Sequence, residues 1–157
     1  MKTLKIKKLV EHATLPTRGH STDAGLDLYA VEDIFIPQGV TTKISTGIAA
    51  DIPEGYFIKI EDRSSMAIKG LRTGAGIVDS GYQGEMCVVL HNFSCQIDLE
   101  CAHQEGFGTI YQSGYRIRSG DKIAQMIVHK IELPEVEEID GFDVTERSTS
   151  GWGSTGR

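Results

Sequence analysis

Pro53-Glu54-Gly55-Tyr56-Phe57-Ile58-Lys59-Ile60 reads as a turn followed by a strand. Proline and glycine punctuate its start, and then Tyr56, Ile58 and Ile60 alternate with Phe57 and Lys59. A period of two places alternate side chains on opposite faces of a half-buried strand. The same reading extends outward. Upstream, Val40–Ile48 follows the turn Pro37-Gln38-Gly39 and sets Val40, Thr42, Ile44 and Thr46 on one face. Thr3–Val10 opens the chain with Leu4 and Ile6 set among lysines. Downstream of Ser80-Gly81, Met86–Leu90 alternates Met86, Val88 and Leu90. After Ser119-Gly120-Asp121, Ile123–Ile131 is more continuously apolar, as in a strand covered on both faces. One segment alone predicts helix: Ser64 or Ser65 caps a short turn through Met66-Ala67-Ile68-Lys69, and Gly70 ends it. Eighteen glycines in 157 residues exceed the usual share of roughly 7% and fall between the apolar runs as turn formers. Together these features predict an all-β fold, a sandwich, barrel or jelly roll, with one short helix.

Bulk properties narrow the function. A chain of 157 residues suggests one domain able to bury its own core. A net charge of −6 argues against a broad nucleic-acid or membrane surface, though a compact site can still gather basic groups around one nucleotide. No apolar run approaches the roughly 18 residues that span a bilayer. The start, MKTLKIKKLVEH, has no continuous apolar stretch, so no signal peptide is expected. Three cysteines, Cys87, Cys95 and Cys101, point to reduced thiols in a cytoplasm.

Two regions stand apart. Residues 94–114 mix cysteine, histidine, glutamate and glycine without clear periodicity and read as an inserted excursion. Within and beside it, His91, Cys95, Cys101 and His103 match no common zinc spacing. Residues 148–157 are rich in Gly, Ser and Thr with one Trp, the composition of a mobile end.

Five dense segments carry the chemistry. They are Ala24-Gly25-Leu26-Asp27-Leu28, then Arg63-Ser64-Ser65-Met66-Ala67-Ile68-Lys69-Gly70, then Gly76-Ile77-Val78-Asp79-Ser80-Gly81-Tyr82-Gln83-Gly84. Gly120-Asp121-Lys122-Ile123-Ala124-Gln125-Met126-Ile127 and Arg147-Ser148-Thr149-Ser150-Gly151-Trp152-Gly153-Ser154-Thr155-Gly156 complete the set. Each has an ordinary reading. Asp79 before Ser-Gly can simply cap a turn, Tyr82 can be a hairpin side chain, and Gln125 a satisfied strand amide. Each also has a chemical one. A carboxylate at Asp79 can orient and deprotonate a water. The face of Tyr82 can pack on a deoxyribose and exclude a 2′-hydroxyl. Arg63, Ser64 and Ser65 combine a guanidinium, two hydroxyls and helix-start amides, a good phosphate cradle. The Gly-Ser-Thr-Gly tail supplies unhindered amides and hydroxyls for a terminal phosphate, and it is not a Walker loop.

In order and spacing these segments resemble the five motifs of the trimeric dUTP diphosphatase (dUTPase) family, across nearly the whole chain. The resemblance implies a distorted jelly-roll barrel or sandwich, a homotrimer with exchange of C-terminal arms, and hydrolysis of dUTP to dUMP and pyrophosphate. That reaction limits uracil in DNA and supplies dUMP for dTTP synthesis. It implies a β domain over 1–147 and a mobile arm over 148–157 that closes a neighbouring site. Asp79 would position the catalytic water. Arg63, Ser64, Ser65, Gly76, Ile77, Tyr82, Gln125, Arg147, Trp152, Gly153, Ser154 and Thr155 would contact substrate. Asp27 and Gln125 would touch waters of a Mg²⁺ held mainly by the substrate phosphates. Lys69 and Lys122 read as solvated charges. Motifs one, two and four would come from one chain, motif three from a second and the tail from a third.

The chain departs from the family pattern in places. Asp62 and Ser65 stand where the family usually has Pro and often Gly, and Trp152 where it more often has Phe. The long interval after Asn92 resembles that of phage-encoded members and would form an extra lobe able to meet a protein partner. A related reading is dCTP deamination. That family carries a glutamate three residues before a strand-end Asn, where this chain has Val89. A regulatory binding module using the insert is the reading from another class.

Overall fold

The computed structural model describes residues 3–94, 97–105 and 108–145. Within them are twelve strands and one short helix. The largest sheet has the order β2 (Leu26–Tyr29), β12 (Lys122–Lys130), β6 (Tyr56–Glu61) and β8 (Ile77–Val78). A second runs β4 (Thr41–Ile44), β9 (Val88–Asn92), β7 (Leu71–Gly74). A third runs β10 (Ile97–Glu105), β11 (Gly108–Ile117), β3 (Ile34–Pro37), and β1 (Lys5–Lys8) pairs with β5 (Ile48–Asp51). Every pairing is antiparallel. This is the distorted jelly roll with one helix that the sequence predicts.

The inward residues follow the period of two. Ile58 and Ile60 of β6, Val88 and Leu90 of β9, and Ala124 and Met126 of β12 join Leu28, Ile36, Ile44, Leu71 and Ile117 in one apolar core. Burying such side chains stabilises a fold by roughly 1.5–3 kcal/mol each. Asn92 is also fully buried, and its amide is used at both ends. Its Nδ2 donates to Ile36 O at 2.7 Å and its Oδ1 accepts from Ser94 N at 2.8 Å, which ties the end of β9 to β3.

Several expectations are corrected. The run Val40–Ile48 is two strands, β4 and β5, not one. Gly47 breaks it with φ of +65°, a left-handed conformation that glycine adopts without steric penalty. Val40 is exposed rather than inward. Pairing in β9 begins at Val88; Met86 still enters the core and donates its N–H to Ile48 O at 2.9 Å. The helix α1 (Ser64–Ile68) is capped by neither serine: Arg63 occupies the N-cap position without a side-chain cap. Gly70 ends it as predicted, at φ +83°. Residues read as an aperiodic excursion form the β10–β11 hairpin, which is irregular between Asp98 and His103. That register shift accounts for the lack of a clean sequence period. Among the described residues no helix is long and apolar enough to cross a membrane.

Candidate active site

Asp27 and Gln125 are direct cross-strand partners in β2 and β12, so their side chains share a face of the sheet. Arg63, Ser64 and Ser65 follow β6 at the start of α1, on the other flank of β12. The three segments therefore meet at one cleft of about 480 Å³, lined by Asp27, Arg63, Ser64, Ser65, Gln125 and the loop around Gly25. Arg63 Nε donates to Asp27 Oδ1 at 2.7 Å, and its Nη1 donates to Lys122 O at 3.0 Å and Ser65 Oγ at 3.3 Å. Lys122 Nζ lies 2.8 Å from Asp27 Oδ2. Hydrogen bonding and charge from Asp27 hold the Lys122 ammonium above its ordinary pKa. Gln125 Nε2 donates to Asp62 O at 2.8 Å, which fixes the amide with its oxygen beside Gly25. A Cβ at Gly25 would lie 2.1 Å from that oxygen, so glycine is needed for the close approach.

Asp62 does not disturb this cleft. Its Oδ1 accepts from Thr73 N at 2.6 Å and Thr73 Oγ1 at 2.8 Å, and its Oδ2 pairs with Arg72 at 2.7 Å. The carboxylate that replaces the family's proline is thus turned toward β7.

A second cleft of about 340 Å³ is lined by Ala75, Ile77, Asp79, Tyr82, Glu85 and Cys87, among others. Gly76 lies behind it. Its carbonyl accepts from Ile60 N at 2.7 Å, and a Cβ there would lie 2.5 Å from Ile60 O. Ala75 holds φ of +49°, a sparsely populated conformation for a residue with a Cβ, and such strain gathers at ligand sites. Asp79 opens a turn in which Tyr82 N donates to Asp79 O at 3.3 Å and Gly81 takes φ +78°. The Asp79 side chain is exposed and, among the described residues, has no hydrogen-bond or ion-pair partner. Tyr82 lies over Gly84 and donates its hydroxyl to Glu85 O at 3.1 Å.

Glu85 anchors this hairpin from below. It accepts from Gly47 N at 2.7 Å and from the Ser45 hydroxyl. Burial pushes its carboxyl up, but the hydrogen bonds from Ser45 and Gly47 more than offset this and leave it below the ordinary range. Burial, and then the charge of Glu85, push the Cys87 thiol up.

Within one chain, then, Asp27, Arg63, Ser64, Ser65 and Gln125 come together, and Ile77, Asp79 and Tyr82 come together elsewhere. The two clefts share no lining residue. Arg147, Trp152, Gly153, Ser154 and Thr155, with the whole arm 148–157, lie outside the described residues. Lys69 is exposed, as read, and its Nζ donates to Tyr115 OH at 2.8 Å; Lys122, read as solvated, is paired with Asp27. Glu85 was not read as functional in sequence, because its two tethers come from Ser45 and Gly47, about forty residues upstream. Asp23, which lines the first cleft, was also missed; the His20 amide holds its carboxyl below the ordinary range. Three residues before Asn92, the end of β9, Val89 stands where the deaminase reading needs a glutamate.

The dUTPase family model matches residues 11–102 and 110–156. The chain is 38% identical over 157 residues to the deoxyuridine 5′-triphosphate nucleotidohydrolase of Saccharomyces cerevisiae, covering 99% of this chain and 95% of that protein. It is 37% identical over 155 residues to the human mitochondrial protein of that name, covering 98% of this chain and 55% of the human one. Among solved structures it is similar to the Staphylococcus bacteriophage 80alpha dUTPase with dUPNHPP, with TM-score 0.86, 30% identity and all of both chains covered. The motifs, the jelly roll and these matches agree: the chain belongs to the dUTPase family.

Proposed function

We propose that the chain hydrolyses dUTP to dUMP and pyrophosphate by attack of water on the α-phosphorus. The observation that carries this reading is the division of the motif residues between two clefts of opposite chemistry. One gathers the Arg63 guanidinium, two serine hydroxyls and the Asp27–Gln125 pair, which suits a triphosphate. The other is a glycine-rich hairpin with an exposed carboxylate that has no partner among the described residues, which suits a nucleoside and a water.

Asp79 orients the water and takes its proton. Ile77 and the backbone around Gly76 receive the base through main-chain groups, which reject cytosine because a mismatch leaves buried polar groups unpaired. Tyr82 packs on the sugar and excludes UTP. Arg63, Ser64 and Ser65 hold phosphate oxygens, with Arg147 and the Gly153-Ser154-Thr155 stretch closing over the far end and Trp152 over the base.

A site divided in this way works only when copies of the chain meet. A homotrimer supplies this, with the first cleft from one chain, the Asp79 hairpin from a second and the arm from a third.

The first cleft also fits Mg²⁺. Among the described residues no three His, Cys, Asp or Glu side chains cluster; most ligands of such an ion would be phosphates and waters. Asp27 and the oxygen of Gln125 would touch those waters. The ion, when bound, neutralises charge on the triphosphate and its leaving group. Residues 94–114, of which 103–109 are unmatched by the family model, would be the phage-like insert and the seat of a protein partner.

The test is pyrophosphate release from dUTP with magnesium, beside dTTP, dCTP and UTP, with Asp79→Asn as the blank. Release from dUTP alone, lost in the variant, supports the reading. Silence from a folded oligomer would move the weight to a regulatory binding role.

A further inference from the structure

Strand β12 does not start in register. Gln125 faces Asp27 and Ala124 faces Leu28, but Lys122 faces Tyr29, so one extra residue is inserted on β12 between Lys122 and Ala124. A bulge of this kind re-aims the side chains on one side of it. Its mark is that Ile123 and Ala124 are consecutive and both fully buried. With regular alternation from Gln125, Ile123 would face the cleft and Lys122 the core. The bulge reverses this and delivers the Lys122 ammonium to the cleft face.

There it has a defined place. Lys122 Nζ lies 2.8 Å from Asp27 Oδ2 and 5.8 Å from the ring centre of Tyr29, while Arg63 takes the other oxygen of Asp27. The backbone carbonyl of Lys122 also accepts from Arg63 Nη1 at 3.0 Å. The turn before it is pinned on both sides, Gly120 N to Ala30 O at 2.8 Å and Ala30 N to Asp121 O at 3.0 Å. Lys122 is not among the residues lining the cleft. It therefore meets Asp27 from behind.

We propose that Lys122 is a positioning residue for the metal–triphosphate: it aims the Asp27 carboxylate and offsets its charge so that a polyanion is accepted beside it. This rests on the reading of Asp27 as an outer contact of magnesium. Each carboxylate oxygen of Asp27 has a second lone-pair site, so an oxygen held by Lys122 can still accept a hydrogen bond from a metal-bound water. Without Lys122 the carboxylate keeps only its Arg63 bond, can turn about it, and has one cation in place of two to offset its charge near the phosphates.

The experiment is calorimetric binding of a non-hydrolysable dUTP analogue to the full-length protein, once with Mg²⁺ and once with EDTA. Lys122→Met and Lys122→Gln should weaken binding by about five- to tenfold with Mg²⁺ and by less than about twofold in EDTA. Lys122→Arg should restore most of the loss. In turnover, the Mg²⁺ concentration for half-maximal rate should rise in the two neutral variants. Equal weakening with and without metal would overturn the proposal in favour of direct phosphate contact or general damage. No weakening in either neutral variant would overturn it in favour of a surface ion pair. An unmodified chain that binds equally well in both conditions would remove the metal role of Asp27 itself, and the proposal with it.

Discussion

Arg63 Nε donates to Asp27 Oδ1 at 2.7 Å, joining the start of the helix to strand β2. Both side chains are largely shielded, at 25% and 14% exposure, so this is not a surface ion pair of negligible worth. The same guanidinium reaches Lys122 O and Ser65 Oγ. A planar fork spreads donors on separate nitrogens over these three acceptors, whereas an ammonium carries its three donors on one atom and does not span them. Arg63→Lys is therefore expected to lower kcat/KM for dUTP by about a hundredfold and to destabilise the fold by about 1–3 kcal/mol. Steady-state kinetics and urea unfolding read the two effects. Near-unchanged kinetics would mean that Arg63 serves the fold alone.

Asp79 is the converse case. Its carboxylate is exposed and unpartnered among the described residues, and the turn it opens is held by its backbone carbonyl. Asp79→Asn should leave the melting temperature within a few degrees, because it removes no folded-state contact. Turnover should fall by about 10²–10⁴, the usual contribution of a general base. A large loss of stability with modest loss of rate would assign Asp79 to the turn instead.

Much of this was legible in the sequence, for local reasons. Ile58 and Ile60, Val88 and Leu90, and the glycine stop at Gly70 obey the short-range rules of alternation and capping. The motif residues were legible as a set because their order and spacing resemble those of the dUTPase family. What could not be read depends on contacts distant in the chain. The break between β4 and β5 at Gly47 admits no side chain, because Val10 and Ala13, far upstream, fill the space: Val10 Cγ2 is 2.7 Å from where a Cβ would sit. Asp62 turns from the cleft because β7 offers Thr73 and Arg72. Lys122 reaches Asp27 because of a bulge, and a bulge leaves no period to find.

Gly25 tests the placement of Gln125. A Cβ at Gly25 would meet Gln125 Oε1 at 2.1 Å, and that oxygen is the far end of a flexible side chain. Gly25→Ala should therefore fold with a loss of about 0.5–1.5 kcal/mol, the worth of one hydrogen bond, while driving the amide off Asp62 O. The expected signature is a raised KM and a raised Mg²⁺ requirement for dUTP with little change in melting temperature. A severe stability loss with unchanged KM would show that Gly25 is needed by the backbone and not by Gln125.

Glu85 gives the chain a defined acid limit. Its folded-state pKa lies below the ordinary 4.5 because Ser45 and the Gly47 amide bind the charged form. A carboxylate depressed in this way stabilises the fold fully above its unfolded value. That contribution fades as pH falls through the folded value, since the unfolded chain takes up the proton first. Glu85→Gln keeps the shape and removes the charge. It should cost about 1–3 kcal/mol near neutral pH, and the gap to the unmodified chain should shrink as pH falls below the ordinary carboxylate range and through the lowered folded-state pKa. The carbonyl of Glu85 also receives the Tyr82 hydroxyl, so a loosened anchor should raise KM for dUTP without abolishing turnover. Urea melts at several pH values check the first claim and initial rates the second. A pH-independent gap would mean that the Glu85 charge is not what Ser45 and Gly47 recognise. The hairpin that carries Asp79 would then be held to the β4–β5 turn by shape and backbone bonds instead.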